Sequence, residues 1–176
     1  VIDESFSSFI FNKDINNKIK NFNSNHLIIV NSFSKNFHLQ GLRLGAILAS
    51  NDLIDKFTNI HIAINGAPNT LSQYLISKFS SKLLKSKNII KKKNFVTSFL
   101  KSKEIEFYSP DGSFYLFPKI KNKDNFIKLS SKKGLFYIAG QHFGSNIYNN
   151  FYRFCFEKKQ IELEKIIRIM NKYEIY

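Results

Sequence analysis

Two short stretches of this chain hold residue types that could do covalent and anion chemistry together. Asn31-Ser32-Phe33-Ser34-Lys35 places a lysine just beyond an apolar run, and Gly41-Leu42-Arg43-Leu44-Gly45 places an arginine eight residues later. A lysine amine whose pKa falls on desolvation can form a Schiff base with a carbonyl compound. A guanidinium flanked by serine hydroxyls can hold an anion beside it. By itself a Ser-x-x-Lys is a weak signal, because Lys35 is one of 24 lysines and reads equally well as an exposed loop residue.

Positioning these groups requires strands. The apolar, β-branched run at 27–30 predicts a strand that the serines terminate. Residues 2–3 read as the end of another, followed by a polar, asparagine-rich excursion over 4–25. Residues 42–50 (LRLGAILAS) predict a strand apolar on both faces, as in a sheet covered on both sides. Asn51 or Asp52 is expected to cap a helix through Leu53, Ile54 and Phe57, and Gly66-Ala67-Pro68 to break the chain. From a cap at Asn69 or Thr70, one long helical pattern runs through Leu71, Tyr74, Leu75, Phe79, Leu83 and Leu84 and on to Leu100.

Beyond it the texture changes. Residues 105–108, the turn Ser109-Pro110-Asp111-Gly112, and residues 113–118 predict strand, turn, strand. A short helix ending near Gly134, a strand at 135–138, a strand at 151–156 and a closing amphipathic helix at 161–170 complete the pattern. The fold class expected is α/β: the C-terminal part of a mostly parallel sheet domain over 1–86, then a small α+β domain over 87–176. The boundary is expected inside the long helical pattern, between Lys82 and Lys93.

Composition narrows the function classes. A single cysteine, Cys155, excludes an internal disulfide framework and cysteine-built metal sites and fits a reducing cytoplasm. No apolar run approaches the roughly 20 residues of a membrane span. The net charge of +14 suggests nucleic acid, but lysine, isoleucine, asparagine and phenylalanine (24, 24, 20 and 19 residues) make up about half the chain and share A/T-rich codons. Arginine, the better phosphate fork, occurs only at 43, 153 and 168, so neither a nucleic acid nor a membrane is expected as partner. The chain opens on Val1-Ile2-Asp3-Glu4 as if inside a buried strand, and is expected to be part of something longer.

Taken in order and spacing, Ile2-Asp3-Glu4, Ser32-Phe33-Ser34-Lys35, Gly41-Leu42-Arg43-Leu44-Gly45, Gly112-Ser113-Phe114-Tyr115-Leu116-Phe117 and Tyr152-Arg153-Phe154 resemble the fold-type I, pyridoxal-phosphate-dependent aminotransferases of class I/II. Asn65-Gly66-Ala67-Pro68 before Gln73 is similar to a further family segment. The resemblance covers the chain but only the C-terminal half of such an enzyme. It implies that Lys35 carries pyridoxal 5'-phosphate as a Schiff base and then moves a proton. It implies that Asp3 faces the pyridine nitrogen, that Arg43 with Ser32 and Ser34 holds the phosphate, and that Arg153 clamps the substrate's α-carboxylate. The expected substrates are an amino acid and a 2-oxo acid, and the expected assembly of the full-length protein is a homodimer.

Two positions depart from the family pattern. Phe6 stands where a tyrosine hydroxyl usually meets the cofactor, and His38 stands where glycine is common. The family's glycine-rich phosphate loop, its ring-stacking aromatic and its asparagine lie upstream of the stretch that Val1 opens, so these 176 residues alone are expected to be inactive. A lyase or decarboxylase on the same scaffold, and a non-catalytic relative, are the competing readings. Retention of Asp3, Lys35, Arg43 and Arg153 together argues against decay.

Overall fold

The computed structural model describes residues 1–12, 14, 25–78, 88–174 and 176. It divides into two compact units, Val1–Lys87 and Asn88–Tyr176.

The first unit is built on a sheet of three short strands, β1 (Ile2–Asp3), β2 (Ile29–Ser32) and β3 (Gly45–Leu48), in that order. β1 runs parallel to β2, with Asp3 opposite Val30, and β3 runs antiparallel to β2, with Ser32 opposite Gly45. The ends of β1 and β2 and the start of β3 therefore share one edge of the sheet. Gly45 is required there, because a Cβ would stand 2.8 Å from the Asn31 carbonyl oxygen. Directly after β2 the chain turns into α1 (Phe33–Asn36), a single turn of helix.

Helix α2 (Asn51–Asn65) starts one residue earlier than sequence suggests: Ser50 is its N-cap, while Asp52 pairs with Lys56 at 2.9 Å. Gly66, at a φ of 69°, ends it in the left-handed region. Asn69 then caps α3 (Thr70–Lys78), its Oδ1 accepting from Ser72 N at 2.8 Å. The expected burial of β3 on both faces is not found. Ile47 and Leu48 are exposed, and so are Ile60, Ile62 and Ile64 of α2 and Leu71 and Tyr74 of α3.

One continuous helix from residue 70 to 100 is also not found. A new helix, α4 (Ile89–Ser102), begins at Asn88, whose φ of 64° no α-helix can pass through. Phe79, Leu83, Leu84 and the stretch where sequence places the domain boundary lie wholly or partly outside the described residues.

The second unit is an antiparallel sheet, β4 (Phe107–Tyr108), β5 (Tyr115–Pro118), β7 (Tyr152–Cys155) and β6 (Ile138–Ala139) in spatial order. Alternation along β5 and β7 gives its faces opposite jobs. Leu116, Pro118 and Tyr152 are buried on one side, where a core of Ile120, Phe126, Tyr152 and Met170 packs with α5 (Lys123–Lys133) and α6 (Gln160–Lys172). On the other side Phe117 and Phe151 stack at 5.2 Å, with Tyr108 stacked on both and Phe143 edge-on to Phe117 at 5.9 Å. Gly140 lets the chain cross this layer, since a Cβ would collide with the Tyr148 carbonyl and come within 2.8 Å of that of Phe151.

Candidate active site

The shared edge of the first sheet collects five of the residues singled out by sequence: Asp3 at the end of β1, Ser32 at the end of β2, Ser34 and Lys35 on α1, and Arg43 just before β3. Strand direction alone brings these distant positions together, because two strands finish and a third begins at that edge. Loops at the ends of such strands are the usual place for a ligand site in α/β sheets.

Each group has a defined setting. The Asp3 carboxylate is exposed and accepts from Ser5 N at 2.8 Å. Hydrogen bonds from the Ser5 side chain and backbone hold it below the ordinary carboxylate value, so it stays ionised. Ser32 occupies the N-cap position of α1 without making a side-chain capping bond. Lys35, half-buried in the last turn of α1, has no hydrogen bond or ion pair among the described residues.

Arg43 lies exposed in the left-handed region, φ 53° and ψ 44°, and its Nη1 donates to Gln40 O at 3.1 Å. A non-glycine residue held there is a local cost, of the kind that concentrates at functional sites. His38 also has a positive φ, 56°, a conformation that glycine adopts without strain. Its ring stands edge-on to Phe9 at 6.0 Å. Phe6 also meets Phe9 edge-on, at 6.4 Å, and presents no hydroxyl.

Arg153 is not part of this edge; it belongs to the sheet of the second unit. Its guanidinium carbon lies 4.3 Å from the Tyr115 ring centroid and 5.0 Å from that of Phe143. Tyr115 and Arg153 share the face of β5 and β7 opposite the helices. Arg153 takes part in none of the ion pairs among the described residues. A planar cation held by rings and in no ion pair among the described residues keeps its N–H edge for an anion. Burial raises the Tyr115 phenol, and the Arg153 guanidinium opposes that shift.

Sequence reasoning missed two partners. Asn36, next to Lys35, is 1% exposed and makes three hydrogen bonds. Its location was visible but its burial was not, since asparagine is usually exposed. Phe143 reaches Arg153 through the β6–β7 connection, and no local spacing signals that contact.

The chain as a whole resembles known proteins. The chain is 27% identical to an aspartate aminotransferase of Sulfurisphaera tokodaii, over 97% of its own length and 47% of the relative's. It is 28% identical to an aspartate aminotransferase of Pyrococcus horikoshii, over 98% and 46% of the two chains. It thus spans about half the length of the curated relatives it matches. In fold it superimposes on an aspartate aminotransferase from Thermotoga maritima with a TM-score of 0.75 at 23% identity, covering 98% of this chain and 46% of that one. With the family description "Aminotransferase class I and II" matching residues 1–170, the chain belongs to that family, which implies pyridoxal phosphate as cofactor.

Proposed function

We propose that this chain supplies the cofactor-anchoring lysine and the carboxylate-binding arginine of a pyridoxal-phosphate-dependent transaminase acting on an amino acid and a 2-oxo acid. The observation that carries the reading is the convergence of Asp3, Ser32, Ser34, Lys35 and Arg43 at one sheet edge. The donor set fits the cofactor chemically: an amine, an ionised carboxylate, a guanidinium and hydroxyls free of capping duty match an aldehyde, a ring nitrogen and a phosphate. When bound, pyridoxal phosphate supplies an electron sink for the carbanion formed at the amino acid's Cα.

The protein's part is binding, orientation and proton transfer. Lys35 would hold the cofactor through its amine and, when free, would hold and return the proton of the substrate's Cα. Asp3, kept ionised by Ser5, would stabilise positive charge on the ring nitrogen. Arg43, with Ser32 and Ser34, would hold the phosphate, and Arg153 would orient the substrate through its α-carboxylate. Phe6 supplies no hydroxyl to this site, so the proton at Nζ is governed by the remaining groups.

Relatives named as aspartate aminotransferases, and one named as a (5-formylfuran-3-yl)methyl phosphate transaminase, support transamination without fixing the substrate side chain. We read the full-length protein as a cytoplasmic homodimer that binds neither nucleic acid nor membrane. Among the described residues no helix is long and apolar enough to cross a membrane.

Product analysis tests the reaction class. The longest protein its gene encodes, loaded with pyridoxal phosphate, is expected to convert an amino acid and a 2-oxo acid into the complementary pair. Release of ammonia with pyruvate would instead indicate elimination, and release of carbon dioxide would indicate decarboxylation.

A further inference from the structure

Helix α1 is four residues long, too short to hold its own position, since helix nucleation is unfavourable below several turns. Something else must therefore fix Lys35. Besides the bond from Phe33 N to Leu44 O at 3.2 Å, the side chain of Asn36, 1% exposed, ties the helix down at the position adjacent to Lys35. Its Nδ2 donates to Glu4 O at 2.8 Å and to Asn31 Oδ1 at 2.9 Å, and its Oδ1 accepts from Ser8 N at 3.0 Å. One amide thus joins α1 to the chain leaving β1, one residue past Asp3, and to β2.

The Glu4 end of this brace is itself held. Glu4 N donates to Val30 O at 2.7 Å, and Glu4 O also accepts from Ser7 N at 3.0 Å. Two donors and one acceptor in so short a side chain is a combination that few residues offer. Aspartate cannot donate, leucine of similar shape can do neither, and glutamine is one methylene too long.

We propose that Asn36 is a positioning residue: it locks the Lys35 amine in register with the Asp3 carboxylate and acts on proton transfer through that geometry, without touching substrate. This rests on the reading of Lys35 as the cofactor-anchoring amine. A bound group flanked by both residues needs their separation fixed, and a misplacement of about 1 Å can cost about 100-fold in rate.

The test uses the full-length protein with Asn36→Leu, Asn31→Leu and the double variant. In Asn36→Leu, amide hydrogen exchange over 34–37 in the cofactor-free protein should quicken by about ten-fold or more relative to β3. In the loaded enzyme, kcat should fall by about ten-fold or more while the donor KM stays within about three-fold. The pH midpoint of the visible absorption should move by about half a unit or more. Asn31→Leu, which leaves two of the three bonds, should shift the same readings less. Adding it to Asn36→Leu should change nothing more.

Wild-type kcat and absorption midpoint in a folded Asn36→Leu, or additive losses in the double variant, would overturn the proposal. Should Asn36→Leu fail to fold, Asn31→Leu decides: an unmoved absorption midpoint refutes the brace, and a shifted one supports it. A wild-type protein that takes no cofactor on Lys35 overturns the underlying reading and this inference with it. That failure is recognisable because the exchange difference over 34–37 would persist.

Discussion

At the scale of single residues, the arginines carry the sharpest expectations. Arg153 lies against two aromatic rings and takes part in none of the ion pairs among the described residues, and the proposed role gives its guanidinium edge to the substrate carboxylate. In the full-length enzyme, Arg153→Ala should raise the KM of both substrates by about ten-fold or more, the loss of a charge-assisted bidentate contact. Cofactor affinity should hardly move, and an unchanged KM would remove Arg153 from that role. Asp3 gives a pH prediction. Its folded value is lowered from 3.8, so its contribution to stability is present at neutral pH and is lost as pH falls through the lowered value. Urea unfolding of wild type and Asp3→Asn should therefore differ at pH 7 and converge in strong acid; a gap that widens on acidification would contradict the assignment. Lys35 and Arg43 were legible because their types and eight-residue spacing are local. Asn36 was not, because the three groups that bury its amide lie 5, 28 and 32 residues away.

At the scale of elements, strand direction does most of the positioning. β1 and β2 end where β3 begins, so a one-residue shift of β1 or β2 would turn Asp3 or Ser32 to the other face of the sheet. The order of strands and helices was readable from apolar runs, glycine and proline breaks and caps. What could not be read was interruption and cover. Asn88 in the left-handed region divides a pattern that looks continuous in sequence, and β3, apolar on both faces, is left exposed. In the second unit Gly140 is the tightest point. Gly140→Ala should destabilise the full-length protein by about 1–3 kcal/mol in urea unfolding, because two carbonyls must move to admit a methyl group. Asn122 caps α5 through a bond from Asn125 N at 3.1 Å, and Asn122→Ala should cost about 1 kcal/mol in the same measurement.

At the scale of the whole molecule, the two units are unequally supplied with core. Among the described residues, Phe9 is the one buried apolar side chain of the first unit, whereas the second buries a contiguous set including Leu116, Ile120, Tyr152, Phe156 and Leu163. Ile60, Ile62 and Ile64 of α2 and Leu71 of α3 stand exposed on the first unit. The 176-residue chain alone should bind a hydrophobic dye and lack transaminase activity, while residues 88–176 alone should unfold cooperatively with little dye binding. Strong dye binding by residues 88–176 would show that their core does not stand alone.

The decisive measurement is at Lys35. The full-length protein, incubated with pyridoxal phosphate, is reduced with borohydride, digested and mapped by peptide mass spectrometry. A pyridoxyl adduct confined to Lys35 is the predicted result. A folded full-length protein with Lys35 unmodified, or modified no more than its exposed lysines, would contradict the assignment of this lysine and the chemistry built on it.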